Sequence, residues 1–196
     1  MENLNLGKMI TRFRERTREL HEQIEKENQA KKIMDHSIEL EAYKSLLLQN
    51  YIAYRTVEKE ISRHIPNYEG SKHQQLEKDL NALGVDFSVA SEFESRFYCS
   101  GYLEALGAAY VVEGSALGGM VIAKELKECP NLKDLEDQHF FSGKRDNVQS
   151  WNRFKKELNS REYSEEEKEQ ASEKAKETFR FFGEVFATTP EKTVKP

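Results

Sequence analysis

Cysteine is nearly missing from this chain. Its two thiols, Cys99 and Cys129, stand far apart with no CxxC spacing, which excludes a disulfide framework and a zinc knuckle and suits a reducing cytoplasm. Proline is as scarce, at four in 196 residues, and no alternating apolar and polar run bounded by hairpin turns occurs. A sheet-rich fold is thereby excluded. Long uninterrupted apolar runs are also lacking: the stretch from Leu103 to Ile122 carries Glu104, Glu113 and several glycines, too polar for a membrane span. The beginning, MENLNLGKMITRFRERTREL, lacks the apolar core of a secretory signal, and the tail ATTPEKTVKP offers no anchor. Excess positive charge is absent too. A net charge of -5 argues against a nucleic-acid partner held by overall charge.

What remains is an ordinary soluble composition, 37% hydrophobic and 33% charged, enough for one domain with a substantial core. Apolar residues recur at i, i+3, i+4 and i+7, so the expected fold class is all-α. A first helix is expected from Leu6 to Asn28, with Met9, Ile10, Phe13, Thr17, Leu20 and Ile24 as its inner stripe. Ser37 reads as the N-cap of a long second helix ending near His64, with Leu40, Tyr43, Leu47, Tyr51, Tyr54 and Ile61 on its apolar face. A third runs from Ser71 to Leu83 and stops at Gly84. Ser91 with Glu94 matches a capping box for a short helix that breaks near Tyr98 to Gly101. One helix from Tyr102 to Lys127 follows, then a loop around His139 to Gly143 and a helix from Val148 to Asn159. Ser164 with Glu167 forms the capping box of the last, Glu165 to Phe186.

The segment YVVEGSALGGMVIAKEL concentrates the chemistry. Gly114, Gly118 and Gly119 each cost about 1 kcal/mol relative to alanine inside a helix, so something must compensate. Two readings are open: a seam where another helix packs closely, or a bare face against which a flat cofactor lies. An anchor for such a cofactor is His21, on the inward side of the first helix with Thr17 and Ile24. Its neutral imidazole can ligate iron, and Glu25, one turn on, can orient the ring through its other nitrogen. A histidine in this setting can equally be an ordinary surface or core residue. The remaining histidines, His36, His64, His73 and His139, form no HExxH or paired ExxH pattern, against a zinc hydrolase or di-iron bundle. Arg12, Arg14, Arg16 and Arg18 suit either an anionic ligand or a solvated basic face, and Arg153 with Lys155 makes a second basic group. No GxSxG, GxGxxG or P-loop occurs. The aromatics of the last helix, Phe179, Phe181, Phe182 and Phe186, are core residues of which one or two can wall a pocket.

Four blocks taken together resemble the biliverdin-producing heme oxygenase family in its soluble bacterial form. RERTRELHEQIE is similar to the family's proximal-histidine helix, KHQQLEKDLNALG to the segment before its distal half, and YVVEGSALGGMVI to its glycine-containing distal helix. WNRFKKELNS and EEKEQASEKAKETFRFFGEVF resemble the closing helices. The resemblance implies a single heme-oxygenase-like helical domain over residues 1–187 with a polar, flexible tail over 188–196.

It further implies heme b as cofactor and substrate, opened with O2 to biliverdin, CO and iron, with electrons from a ferredoxin or flavoprotein reductase. A bilin-binding photoreceptor or a biliverdin reductase would lie downstream. His21 would be the axial ligand, with Glu25 beside it. Gly114, Ser115 and Gly118 would form the distal face and its water network, with Gly119 and Phe179 also against the ring and Arg14, Arg18 and Lys155 meeting the propionates. Animal members carry an aspartate where this chain has Ser115, which cannot supply a fixed negative charge. Two alternatives remain: a non-catalytic heme-binding protein for storage, delivery or sensing, and a helical scaffold whose glycine helix is a packing seam.

Overall fold

The computed structural model describes residues 8–188 apart from 28, 137 and 144. Every regular element among them is helical: α1 (Met9–Glu27), α2 (Ala30–Met34), α3 (Leu40–His64), α4 (Lys72–Ala82), α5 (Tyr102–Gly114), α6 (Ala116–Leu126), α7 (Asp146–Leu158) and α8 (Glu165–Thr188), with 3₁₀ turns at Ser88–Phe93 and Pro130–Leu132. The expected first helix reached Leu6 and Asn28, both outside the described residues, as are 189–196 of the expected tail. Thr188 itself belongs to α8.

α5 and α8 form the central pair, α1 packs on α8, and α3 lies across α4, α5 and α8. Small buried residues recur on both helices, Ala105, Ala108 and Ala109 on α5 and Ala171, Ser172 and Ala175 on α8. Removing bulk lets two backbones approach, and α5 uses it fully at Gly107. On α1 the buried stripe Met9, Phe13 and Thr17 faces inward as expected. Arg12 and Arg16 reach Glu169 and Glu173 of α8, at 3.0 Å for Arg12–Glu169 and 2.9 Å for Arg16–Glu173. Half of the basic face of α1 therefore serves to hold the helix down.

Two local signals hold. The Ser164–Glu167 box closes as expected, Ser164 N–H donating to Glu167 Oε2 at 2.8 Å and Glu167 N–H to Ser164 Oγ at 3.2 Å. Gly84 takes φ +65°, the left-handed turn after α4 that glycine adopts without strain.

Three expectations are corrected. Ser37 does not cap α3, which starts at Leu40 behind Glu39. Its N–H instead donates to Lys32 O at 2.9 Å, closing the unexpected α2 with His36 at φ 54° as the left-handed residue. Ser91 and Glu94 form no capping box: Ser91 Oγ donates to Ser88 O, and Glu94 is drawn to Arg55 and Lys59 of α3, both at 2.7 Å. Finally, the helix expected from Tyr102 to Lys127 is interrupted at Ser115. The combined stretch Tyr102–Leu126 is long and apolar enough to cross a membrane, yet half of its most apolar window is buried within the protein, as in a core helix.

Candidate functional site

The interruption at Ser115 has a local cause. Val112 O accepts from Ser115 Oγ at 2.8 Å and from Lys72 Nζ at 2.5 Å, so side chains take over the carbonyl at the end of α5. Lys72 is held there by Glu113, 3.4 Å away, and Tyr68 O–H donates to the same carboxylate at 2.8 Å. Glu58 of α3 accepts from the backbone N–H groups of Lys72 and His73 and meets His73 Nδ1 at 2.5 Å. A charged, nearly dry network thus fixes the break from behind.

In front of the break lies a cavity of about 320 Å³, at the lower end of the range for small-molecule sites. Of the residues expected at a site, His21, Glu25, Arg14, Gly114, Ser115, Gly118, Gly119 and Phe179 all border it. Arg18 is exposed and does not, and neither does Lys155, whose ammonium lies 5.4 Å from the ring centroid of Trp151, a cavity residue. The glycines are the informative part. A β-carbon on Gly118 or Gly119 would meet nothing within 4 Å, and one on Gly114 would only touch Trp151 at 3.9 Å. Among the described residues no helix packs on Gly118 or Gly119, and Gly114 only touches Trp151 of α7, so these glycines form no close seam; the glycine in a tight seam is Gly107, where a β-carbon would lie 2.0 Å from Ala171 O.

His21 comes from the other side of the fold, on α1. Its side chain is 54% exposed, and Nδ1 stands 3.7 Å from Glu25 Oε1, longer than a hydrogen bond. Phe179 packs edge-on against the imidazole, ring centroids 5.6 Å apart. That contact limits how the ring can turn. The remaining histidines are each near a carboxylate or unclustered: His36 meets Glu125 at 2.9 Å, His73 meets Glu58, and His139 meets Asp79 at 2.9 Å. Among the described residues no group of three or more metal-ligating side chains exists. A single imidazole at a largely apolar cavity suits a metal already chelated by a macrocycle.

Sequence reasoning missed several walls. Tyr54 of α3 borders the cavity; burial keeps its phenol well protonated, against the lowering effect of a hydrogen bond with Ser115. Tyr110 also borders it and stacks on Phe13 at 4.7 Å; burial raises its phenol, opposed by Thr17 and Arg14. The loop at His139 to Gly143 is no passive connector. Asp79, 1% exposed, accepts the N–H groups of His139 and Phe140 at 2.8 and 2.9 Å, which sets Phe140 and Phe141 into the cavity wall. Behind Ser115, a hollow of about 20 Å³ bordered by Lys72, Gly119 and Asn147 has room for one water with polar partners. No local pattern marks these residues, because each reaches the site through a different element.

The residues fit a flat, iron-bearing macrocycle: a free imidazole, bare glycine faces, aromatic walls and a guanidinium at the border. Comparison with known proteins agrees. The sequence profile for heme oxygenase matches residues 8–188. No curated protein sequence matches the chain. Among solved structures, the heme oxygenase of Leptospira interrogans superposes with a TM-score of 0.69 at 18% identity, over 92% of this chain and 99% of that one. The NO- and CO-bound heme oxygenase of Neisseria meningitidis gives 0.68 at 21% identity, over 93% and 92%. A heme oxygenase of the cyanobacterium Synechocystis, in complex with heme, gives 0.67 at 18% identity, over 96% and 95%. With the profile covering nearly the whole chain and an all-helical architecture around this cavity, the chain belongs to the heme oxygenase family.

Proposed function

We propose that this chain binds heme b as cofactor and substrate and opens it oxidatively to biliverdin, CO and ferrous iron in the cytoplasm, using O2 and electrons from an external ferredoxin or flavoprotein reductase. The observation that carries the reading is a single cavity bordered both by the His21 imidazole and by glycine faces that nothing else in the fold occupies. When bound, heme supplies the iron that binds O2.

The chain's own residues do the rest. His21 would hold the iron, with Nδ1 near Glu25 and the imidazole restrained by Phe179. Arg14, with Arg18 and Lys155 further out, receives the propionates and orients the ring. Gly114, Gly118 and Gly119 would leave the distal face room beside the backbone. Ser115 and Tyr54 supply hydroxyls that order water and pass protons. Phe140, Phe141 and Trp151 exclude bulk water from the ring edge. Biliverdin would pass to a biliverdin reductase or a bilin-binding photoreceptor.

The test is an aerobic visible spectrum of the heme-loaded protein after adding ferredoxin, its reductase and NADPH, with catalase present. Loss of the heme Soret band with growth of a broad bilin band, dependent on the electron donors, is the expected result. A stable reduced or oxygenated heme spectrum under competent electron delivery would sink the oxygenase reading in favour of storage, delivery or sensing.

A further inference from the structure

Leu46, Asn50 and Tyr54 follow one another at helical-turn spacing on α3, and all three border the cavity. The middle one is out of character with its surroundings. Asn50 is only 7% exposed, and its Nδ2 donates to Leu46 O at 2.7 Å. Among the described residues Oδ1 accepts no hydrogen bond, and the amide retains a second N–H; Asn50 borders the cavity, so both are open to a ligand there. Leu46 and Tyr54 on α3 and Phe182 and Phe186 on α8 border the same cavity, so the side chains one turn either side of Asn50 are an aliphatic group and a phenol. A ligand that covers this amide without pairing it costs about 1–3 kcal/mol, so one that presents the matching groups gains that difference.

A closed heme presents none on its hydrocarbon edge, since iron has replaced its inner protons and its other edge substituents there are methyl and vinyl groups. Opening the ring changes this. A linear tetrapyrrole ends in two lactams, each with an N–H beside a C=O, and a lactam is complementary to a primary amide: its N–H donates to Oδ1 while Nδ2–H donates to its carbonyl oxygen. We infer that Asn50 is a specificity-determining residue that binds a terminal lactam of the bilin, so that this wall recognises the opened product and not the closed ring. The inference rests on the reading that the chain handles heme and its bilin.

Biliverdin and ferric heme are titrated separately into the wild-type protein and Asn50→Leu, following absorbance and the emission of the single tryptophan, Trp151, which borders the cavity. Expected is a biliverdin Kd raised about tenfold in the variant, the equivalent of losing one buried hydrogen-bond pair, with the heme Kd moved by less than about threefold. An equal shift for both ligands, or no shift for biliverdin, overturns the assignment. A ligand-side comparison needs no variant: a bilin with both lactams converted to methyl lactim ethers, which lack the N–H donor, should bind the wild-type protein about tenfold more weakly than biliverdin. Equal affinity for the two bilins overturns it as well. The two readings fail separately. Lactam preference without heme opening leaves Asn50 its role and removes the oxygenase; heme opening without lactam preference does the reverse.

Discussion

Gly107 of α5 lies so close to Ala171 of α8 that a β-carbon placed on it would stand 2.0 Å from the alanine carbonyl oxygen, and 3.0 Å from the Ala175 nitrogen. The contrast with Gly118, open for 4 Å, separates a glycine that holds the fold together from one that leaves room for a ligand. Gly107→Ala is expected to destabilise the protein by about 2–3 kcal/mol in urea unfolding, because a backbone cannot step aside. Gly118→Ala should leave the ligand-free protein equally or more stable, by up to about 1 kcal/mol. Gly118→Leu should fold while weakening heme binding at least about tenfold, its side chain standing in the cavity.

His21 is more than half exposed, so its removal costs the fold little. His21→Ala is expected to change stability by less than about 0.5 kcal/mol. The same variant should lose the axial-ligand signature in the ferric heme spectrum and lower turnover at least about a hundredfold, with added imidazole restoring part of both. Unchanged turnover at saturating heme would refute the assignment.

Tyr54 and Ser115 both border the cavity, and their hydroxyls are coupled there. Tyr54→Phe and Ser115→Ala are each expected to slow heme opening about tenfold while shifting the heme Kd by less than about twofold, because the hydroxyls act on protons and water and not on ring binding. The double variant should be no slower than the worse single one, the sign of a shared network. Additive losses would mean that the two hydroxyls work independently.

Alkaline pH gives a further check. Burial pushes the Cys99 thiol from its ordinary 9.0 up to about 12. In the unfolded chain the proton leaves first, so the contribution of Cys99 is fully present below about pH 9 and is lost as pH rises toward 12. Burial raises the Tyr43 and Tyr54 phenols too, which adds the same slope further up. Denaturant unfolding of the wild type should therefore fall more steeply across this interval than that of Cys99→Ala. Parallel curves would show that Cys99 titrates in the fold as it does in the unfolded chain.

Much of the helical pattern can be read along the chain, since amphipathic spacing and the Ser164–Glu167 box act within a few residues. Where local reading failed, a distant partner had won. Glu94 left its capping box for Arg55 and Lys59, which gain more from a carboxylate than a 3₁₀ turn does. Ser37 yielded to α2, whose closure through His36 no periodicity announces. The site divides in the same way: His21 and the glycine block were visible because each is a local departure from an ordinary helix, whereas Tyr54, Asn50 and Phe140 look like core residues until α3 and the Asp79-anchored loop are set beside the cavity.

The amino-acid order by itself determined an all-helical chain, the placing of His21 on the side of the first helix shared with Thr17 and Ile24, and a helix weakened at Gly114, Gly118 and Gly119, because each depends on spacing within a turn or two; the structure leaves His21 more than half exposed at the cavity border. Only the tertiary structure decided which glycine lies in a seam and which borders an open cavity. A glycine is the same residue in both; what distinguishes Gly107 from Gly118 is whether another helix or open space stands where its β-carbon would be.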